Sequence, residues 1–247
     1  MQPTQTIYGM HAVRVLLERH PQRVLNVLLA ERREDPRGRA IEELAQRQQR
    51  PLKRMNADAL KRLLGDVIHQ GVAAEIVPLA PWNEDDLLAA LTTARAPIIL
   101  ALDGVQDPHN LGACLRTADA CGALAVVVPK DRAAQMTPTV RKVATGAAET
   151  TPVVAVTNLV RTLKLLKDAG LWVVGAEAEA DKEARQVDLT AGIVLVLGSE
   201  GSGLRHLTRE TCDLMVCLPQ RGSVESLNVS VAAGMLLYET VRQRDAK

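Results

Sequence analysis

The chain contains no phenylalanine, and among its 247 residues the only aromatic side chains are Trp82, Trp172, Tyr8 and Tyr238. Leu, Val, Ile and Ala must therefore fill the interior, and recognition of nucleic-acid bases by stacking has few side chains to draw on. Cysteine is scarce as well. Cys114, Cys121, Cys212 and Cys217 form no Cys-x-x-Cys pair, so a zinc site is not expected and the four read as reduced, packed thiols of a cytoplasmic protein. No apolar run reaches membrane length and no signal peptide opens the chain, which argues against a membrane or secreted protein. Net charge is nearly absent too, at +1, but the balance is uneven. Residues 1–78 hold 13 Lys and Arg against 9 Asp and Glu, and residues 79–247 hold 17 against 20. A basic first part suggests a polyanionic partner, and an ordinary Arg-rich solvated surface explains the same count.

What is present is a globular composition, 47% apolar, in a chain long enough for one large domain or two small ones. The periodicity predicts helices over 10–20, 39–49 and 57–64 and strands over 24–30 and 71–78, a small α/β module of its own. Residues 79–97, with Pro81, the acidic run Glu84-Asp85-Asp86 and a short helical stretch, read as a linker. From 98 to 247 strands and helices alternate: strands over 98–102, 125–128, 153–156, 172–175, 193–197 and 214–217, with helices over 111–121, 140–147 and 158–168. Such alternation implies a parallel sheet covered by helices on both faces.

Two stretches of the last third stand out. Ile193-Val194-Leu195-Val196-Leu197, an uncharged run bounded by glycines, suits a central buried strand, and it opens into Gly198-Ser199-Glu200-Gly201-Ser202-Gly203. Glycines there let a ligand approach the backbone, yet the spacing matches neither the dinucleotide fingerprint nor a P-loop, which would need lysine where Leu204 stands. Taken alone, this loop is compatible with a tight turn that binds nothing. The second stretch runs from Leu218-Pro219-Gln220-Arg221-Gly222 to Ser226-Leu227-Asn228-Val229-Ser230, with Ser226 in N-cap position for a helix over 227–242. Leu227, Val231, Met235 and Tyr238 recur at helical spacing and are expected to pack, while Asn228 is a poor helix former unless its amide is engaged.

These two stretches resemble the second and third motifs of the SpoU (TrmH) RNA ribose methyltransferases. The first motif is found upstream as Asp103-Gly104-Val105-Gln106-Asp107-Pro108-His109-Asn110-Leu111-Gly112, followed by Arg116. Ile7-Tyr8-Gly9 with His11, and His69-Gln70-Gly71, resemble pieces of the subgroup that modifies bacterial large-subunit ribosomal RNA. The resemblance implies an L30e-like RNA substrate-binding domain over 1–78 and a methyltransferase domain over 98–247 with a deep trefoil knot. It implies 2′-O-methylation of a guanosine ribose of 23S ribosomal RNA, in the peptidyl-transferase loop region, by a homodimer. S-adenosylmethionine is the implied donor, without a metal, in a pocket lined by Gly198, Leu218 and Leu227. Asn110, Arg116, Glu200, Ser226 and Asn228 match family positions near the reacting centre.

A ribose hydroxyl is a weak nucleophile, so the reaction needs alignment, a proton acceptor and stabilisation of the developing alkoxide. Arg116 stands where the family assigns catalysis, either activating the hydroxyl or binding phosphate and oxyanion. Asn110 is expected just before its helix, as a cap. Arg32, Arg33, Arg37 and Arg39 are the first candidates for RNA backbone contacts. Two rivals stand beside this reading: a transfer RNA ribose methyltransferase, and a non-catalytic RNA-binding assembly factor.

Overall fold

A computed structural model describes residues 4–31, 35–65, 67, 69–223 and 226–246. The chain divides into two compact units, one of Met1–Ala80 with Thr145–Thr150, the other of Pro81–Ala144 with Thr151–Lys247.

The first unit contains β1 (Gln5–Tyr8), α1 (Met10–Arg19), β2 (Val24–Ala30), α2 (Pro36–Arg47), β3 (Leu52–Met55), α3 (Ala57–Leu64) and β4 (Val72–Ile76). Its sheet runs β1-β4-β2-β3, with β4 antiparallel to β1 and β2 and β3 parallel to β2. Val13, Leu16 and Leu17 of α1 and Ile41, Leu44 and Ala45 of α2 share a core with Val27 and Leu29 of β2. Asp35 caps α2 through Gly38 N–H at 2.7 Å, and Asn56 caps α3 through Ala59 N–H at 2.7 Å. β1 and β3 were not foreseen from the sequence. Only Ile7 of β1 is buried and no residue of β3 is, so neither segment shows the alternation that marks a strand.

The second unit contains α4 (Glu84–Leu91), β5 (Ile98–Asp103), α5 (Pro108–Ala120), β6 (Ala125–Pro129), α6 (Pro138–Ala144), β7 (Val153–Val156), α7 (Leu159–Asp168), β8 (Trp172–Ala176), β9 (Lys182–Glu183), β10 (Ile193–Gly198), α8 (His206–Thr211), β11 (Leu214–Cys217) and α9 (Val229–Asp245). The strands form one seven-stranded sheet in the order β7-β6-β5-β10-β8-β11-β9. Every pairing in it is parallel. β10 lies between β5 and β8, and Ile193 to Leu197 are all buried, as a doubly covered strand requires.

Three expectations need correction here. The span read as linker, 79–97, holds α4, whose Leu87 is fully buried in one core with Ile99, Val127 and Val154; burying such a side chain contributes about 1.5–3 kcal/mol. The last helix starts later than expected and turns a different face inward. Val229, Ala233, Leu236, Leu237 and Thr240 are buried, whereas Val231, Met235 and Tyr238 are 50%, 43% and 66% exposed. Finally, α5 begins at Pro108 and is capped by Asp107, whose carboxylate accepts from His109 N–H at 2.9 Å, so Asn110 sits inside the first turn.

The four cysteines are free. Burial pushes the Cys114 thiol up to about 12, and burial with nearby Asp213 pushes Cys212 up to about 12 as well.

Candidate active site

Parallel strands deliver their following loops to one edge of the sheet, and here those loops build the site. β10 ends in a closed loop. Ser199 N–H donates to Gly203 O at 3.2 Å, Gly203 N–H returns to Ser199 O at 3.0 Å, and the Ser199 and Ser202 hydroxyls are 2.6 Å apart. Closure brings Gly203 over Gly198 so tightly that a Cβ at 198 would lie 2.0 Å from the Gly203 carbonyl carbon. Only glycine fits there, and Glu200 is thereby held at the loop's tip.

Two asparagines meet that carboxylate. Asn228, rather than Ser226, is the N-cap of α9: its Oδ1 accepts from Ser230 N–H at 2.9 Å and from the Ser230 hydroxyl at 2.6 Å. Its Nδ2 donates to Glu200 Oε1 at 2.6 Å and to Asn110 Oδ1 at 2.9 Å, and Asn110 Nδ2 donates to the same Glu200 oxygen at 3.2 Å. Val229 N–H approaches that oxygen at 3.5 Å. A cap at Asp107 is what releases the Asn110 amide for this triangle. The amides from two helix starts thus fix the orientation of one carboxylate from a third loop.

Glu200 borders two cavities. The larger, of about 410 Å³, lies among the loops after β8, β10 and β11 and is lined by Gly198, Leu218 and Leu227, the residues expected at the donor, together with Glu200 and Ser226. Backbone and apolar groups make most of its wall near Gly198 and Leu218. Gln220 also lines it, and its buried Oε1 has no hydrogen-bond partner among the described residues, an acceptor left over at the cavity wall. The second cavity, of about 330 Å³, is lined by Gly104, Gln106, Asp107, Asn110, Ser199 and Glu200 among others, a polar recess across the carboxylate from the first.

Arg116 lines neither of these cavities. It is exposed on α5, and its side chain makes no hydrogen bond or ion pair with a described residue. Arg37 and Arg39 are exposed on α2, while Arg32 and Arg33 lie outside the described residues. Sequence reasoning missed Gln220 as a cavity residue and missed Glu177 and Glu179 after β8, which line the larger cavity. Nothing in the Glu177-Ala178-Glu179 pattern marks it; the one available signal was its place after a strand of the parallel sheet. No group of three or more His, Cys, Asp or Glu among the described residues is arranged to hold a metal ion.

The class of protein that carries this sheet and loop arrangement is an RNA methyltransferase, as the match to family models shows. Residues 97–238 match the model of the SpoU rRNA methylase family, and residues 6–82 match that of the RNA 2′-O ribose methyltransferase substrate-binding domain. The chain belongs to the SpoU rRNA methylase family. It is 52% identical over 250 residues to the 23S rRNA (guanosine-2′-O-)-methyltransferase RlmB of Pseudomonas putida, spanning 100% of both chains. It is 46% identical over 241 residues to the enzyme of the same name from Escherichia coli K12, spanning 98% of this chain and 99% of that one. Among solved structures, the SpoU methyltransferase AviRb from Streptomyces viridochromogenes in complex with AdoMet superposes with a TM-score of 0.76 at 26% identity, covering 99% of this chain and 92% of its own. The A. aeolicus TrmH/SpoU tRNA modifying enzyme covers only 66% of this chain, with a TM-score of 0.56 and 30% identity.

Proposed function

We propose that this protein catalyses S-adenosylmethionine-dependent 2′-O-methylation of a guanosine ribose in 23S ribosomal RNA. The observation that carries the reading is its 52% identity to a 23S rRNA guanosine methyltransferase along the whole of both chains. The transfer RNA reading is disfavoured by the same measure, because the tRNA-modifying relative leaves a third of this chain unmatched, covering 66% of it. An assembly factor without catalysis is disfavoured because Asn110, Glu200 and Asn228 are not merely retained but hydrogen-bonded to one another.

The donor-side residues fit S-adenosylmethionine. Gly198 offers bare backbone, Leu218 and Leu227 offer apolar wall, and the orphaned Gln220 Oε1 suits an N–H donor on the ligand. When bound, S-adenosylmethionine supplies an electrophilic methyl group on a sulfonium. Glu200 places a carboxylate between that cavity and the polar recess at Asn110, where it balances positive charge on one side and accepts from a ribose hydroxyl on the other. Asn110 and Asn228 are positioning residues that hold Glu200. Ser226 lines the donor cavity.

Arg116 acts on the substrate, either as phosphate and oxyanion binder or in activating the hydroxyl; its fork of donors suits the first role. Its exposure, without a partner, fits a homodimer in which it works at the neighbouring subunit's site. The unpaired stripe of Val231, Met235 and Tyr238 on α9 is the apolar surface that such a dimer would cover. A deep trefoil knot in the last third belongs to the same reading, supported by membership of the SpoU family. The first unit is assigned as the L30e-like domain that binds the RNA, with Arg37 and Arg39 at its surface, and the cytoplasm, which holds ribosomal RNA, as the place of action.

Transfer of a labelled methyl group to 23S ribosomal RNA from a strain lacking the gene, with transfer RNA as the comparison, tests the reading. Arg116→Ala is expected to lower kcat/KM more than tenfold, about 1.4 kcal/mol or more, with donor affinity unchanged by calorimetry. Label entering only transfer RNA, or none entering either RNA, overturns it.

A further inference from the structure

A third cavity, of about 560 Å³, opens at the same carboxyl edge of the second unit's sheet, beyond the motif residues. Its wall comes from the segments after β6 and β7 and the entry to α8, and its charged lining is Arg132, Arg205 and His206 with Asp131. Two fixed links join it to the recess at Asn110. Arg205 N–H donates to Asp103 Oδ2 at 3.0 Å, and Arg205 Nε lies 2.8 Å from Oδ1, an ion-pair distance without hydrogen-bond alignment. The Asp103 side chain is 0% exposed at the end of β5, while that of Arg205 is 53% exposed. The following residue, Gly104, lines the Asn110 recess, and its Cβ position is 3.5 Å from Arg205 Nη2. The second link is Ala134 N–H to Val105 O at 2.8 Å, which ties the loop carrying Arg132 to the loop carrying the recess.

A fully buried carboxylate is costly to desolvate unless it is paired, and here its partner is a half-exposed guanidinium aimed at solvent beside the recess. The pair orients Arg205 without using up its outer nitrogens. Arg132 is exposed and makes no hydrogen bond or ion pair with a described residue. Two guanidinium forks lining one cavity supply the charge and the donors that a phosphodiester takes. An RNA strand whose ribose enters the recess at Asn110 and Glu200 carries a phosphate on each side of that ribose, and Gly104, which lines that recess, lies beside Arg205 of the third cavity.

We propose that this cavity binds a backbone phosphate of the nucleotide flanking the target ribose, through Arg132 and Arg205 with His206 at the rim. The inference rests on the ribose-methyltransferase reading and adds to it a substrate contact made by the catalytic unit itself. The contact fixes the register of the strand and reads no base.

Arg132→Ala is the informative substitution, because Arg205→Ala would leave Asp103 buried without its cation. Binding of a 23S ribosomal RNA fragment is measured by filter retention between 50 and 200 mM salt, beside calorimetry with S-adenosylmethionine and steady-state kinetics. The expected result is roughly a fivefold to tenfold higher Kd and KM for RNA, kcat within twofold and donor affinity unchanged. The slope of log K against log salt becomes shallower by about 0.7–1, the signature of one lost phosphate contact. In a second arm, an uncharged methylphosphonate replaces each phosphate near the methylated ribose in turn. Wild type should lose affinity at one flanking position to which Arg132→Ala is indifferent. An unchanged salt slope and Kd in Arg132→Ala overturns the proposal, and so does a variant as sensitive as wild type at every flanking phosphate. If the wild-type enzyme bound RNA but methylated none, the proposed reaction would fall while the salt-slope arm would still decide on the phosphate contact.

Discussion

Gly198→Ala puts the loop geometry to a numerical test. Position 198 has no positive φ, so alanine is acceptable to the backbone itself, and the whole effect is steric. The added methyl would lie 2.0 Å from the Gly203 carbonyl carbon, 2.1 Å from its oxygen and 2.4 Å from Leu204 N, all backbone atoms that cannot rotate away. Relief requires the loop to open by more than an ångström, which breaks the reciprocal Ser199 and Gly203 hydrogen bonds of 3.2 and 3.0 Å. Overpacking costs about 1–3 kcal/mol, and each lost hydrogen bond about 1 kcal/mol more. A local penalty of about 3–5 kcal/mol is small enough for a domain of this size to remain folded but displaces Glu200, Gly201 and Gly203 from the donor cavity. Calorimetric titration with S-adenosylmethionine should show affinity reduced by about a hundredfold or more, about 2.7 kcal/mol, with the far-ultraviolet circular dichroism retained. The control is Gly201→Ala, where the methyl meets nothing within 4 Å and only the φ of 83° opposes it, at a cost of about 1 kcal/mol. Donor affinity in Gly198→Ala within threefold of wild type, or no weaker than in Gly201→Ala, would refute the steric reasoning.

Asn228→Ala removes both the α9 cap and the donor to Glu200, so urea titration should show about 1 kcal/mol lost and both donor affinity and methyl transfer should fall; Asn228→Ser, which restores a capping oxygen but no amide, should recover the stability without the activity. Light scattering at micromolar concentration should report a dimer for the wild type and a monomer for Met235→Glu/Tyr238→Glu, since the exposed stripe would then carry charge into the interface; a monomeric wild type contradicts the role given to Arg116. A chain truncated to begin at Pro81 should bind S-adenosylmethionine yet lose most of its affinity for ribosomal RNA, whereas one beginning at residue 92 also loses Leu87 and should melt earlier in a thermal scan; undiminished kcat/KM on the same nucleotide from the first truncation would show that the first unit does not select the target.

Strands β5, β6 and β10 were legible because each is a short apolar run buried on both faces, and so carries its own evidence in composition, whereas β9, the pair Lys182–Glu183, is polar and partly exposed and was not foreseen. Strands β1 and β3 were not, because almost all their side chains stay partly exposed and their stability comes from backbone pairing to β4 and β2, about which the local pattern is silent. Helix α9 shows a subtler failure. Two apolar stripes share it, one of Ala233, Leu236 and Leu237 and one of Val231, Met235 and Tyr238, and periodicity alone assigns burial to either.

By itself the sequence determined the parallel α/β architecture of the second unit, the presence of three motif loops and the identities of Asn110, Glu200 and Asn228 as unusual polar residues at helix and loop starts. Tertiary structure decided which of those residues meet. Asn110 and Glu200 are 90 positions apart and Asn110 and Asn228 are 118 apart, and only the strand order, with β10 inserted beside β5, brings their atoms to within 3.2 Å. Cap identity at Asp107 and Asn228, rather than at Asn110 and Ser226, was settled by where each helix begins, a boundary that packing of α5 and α9 sets and side-chain preference leaves open. The cavity at Arg132 and Arg205 left no trace in the sequence, because surface arginines look alike until a buried aspartate 102 positions away holds one of them in place.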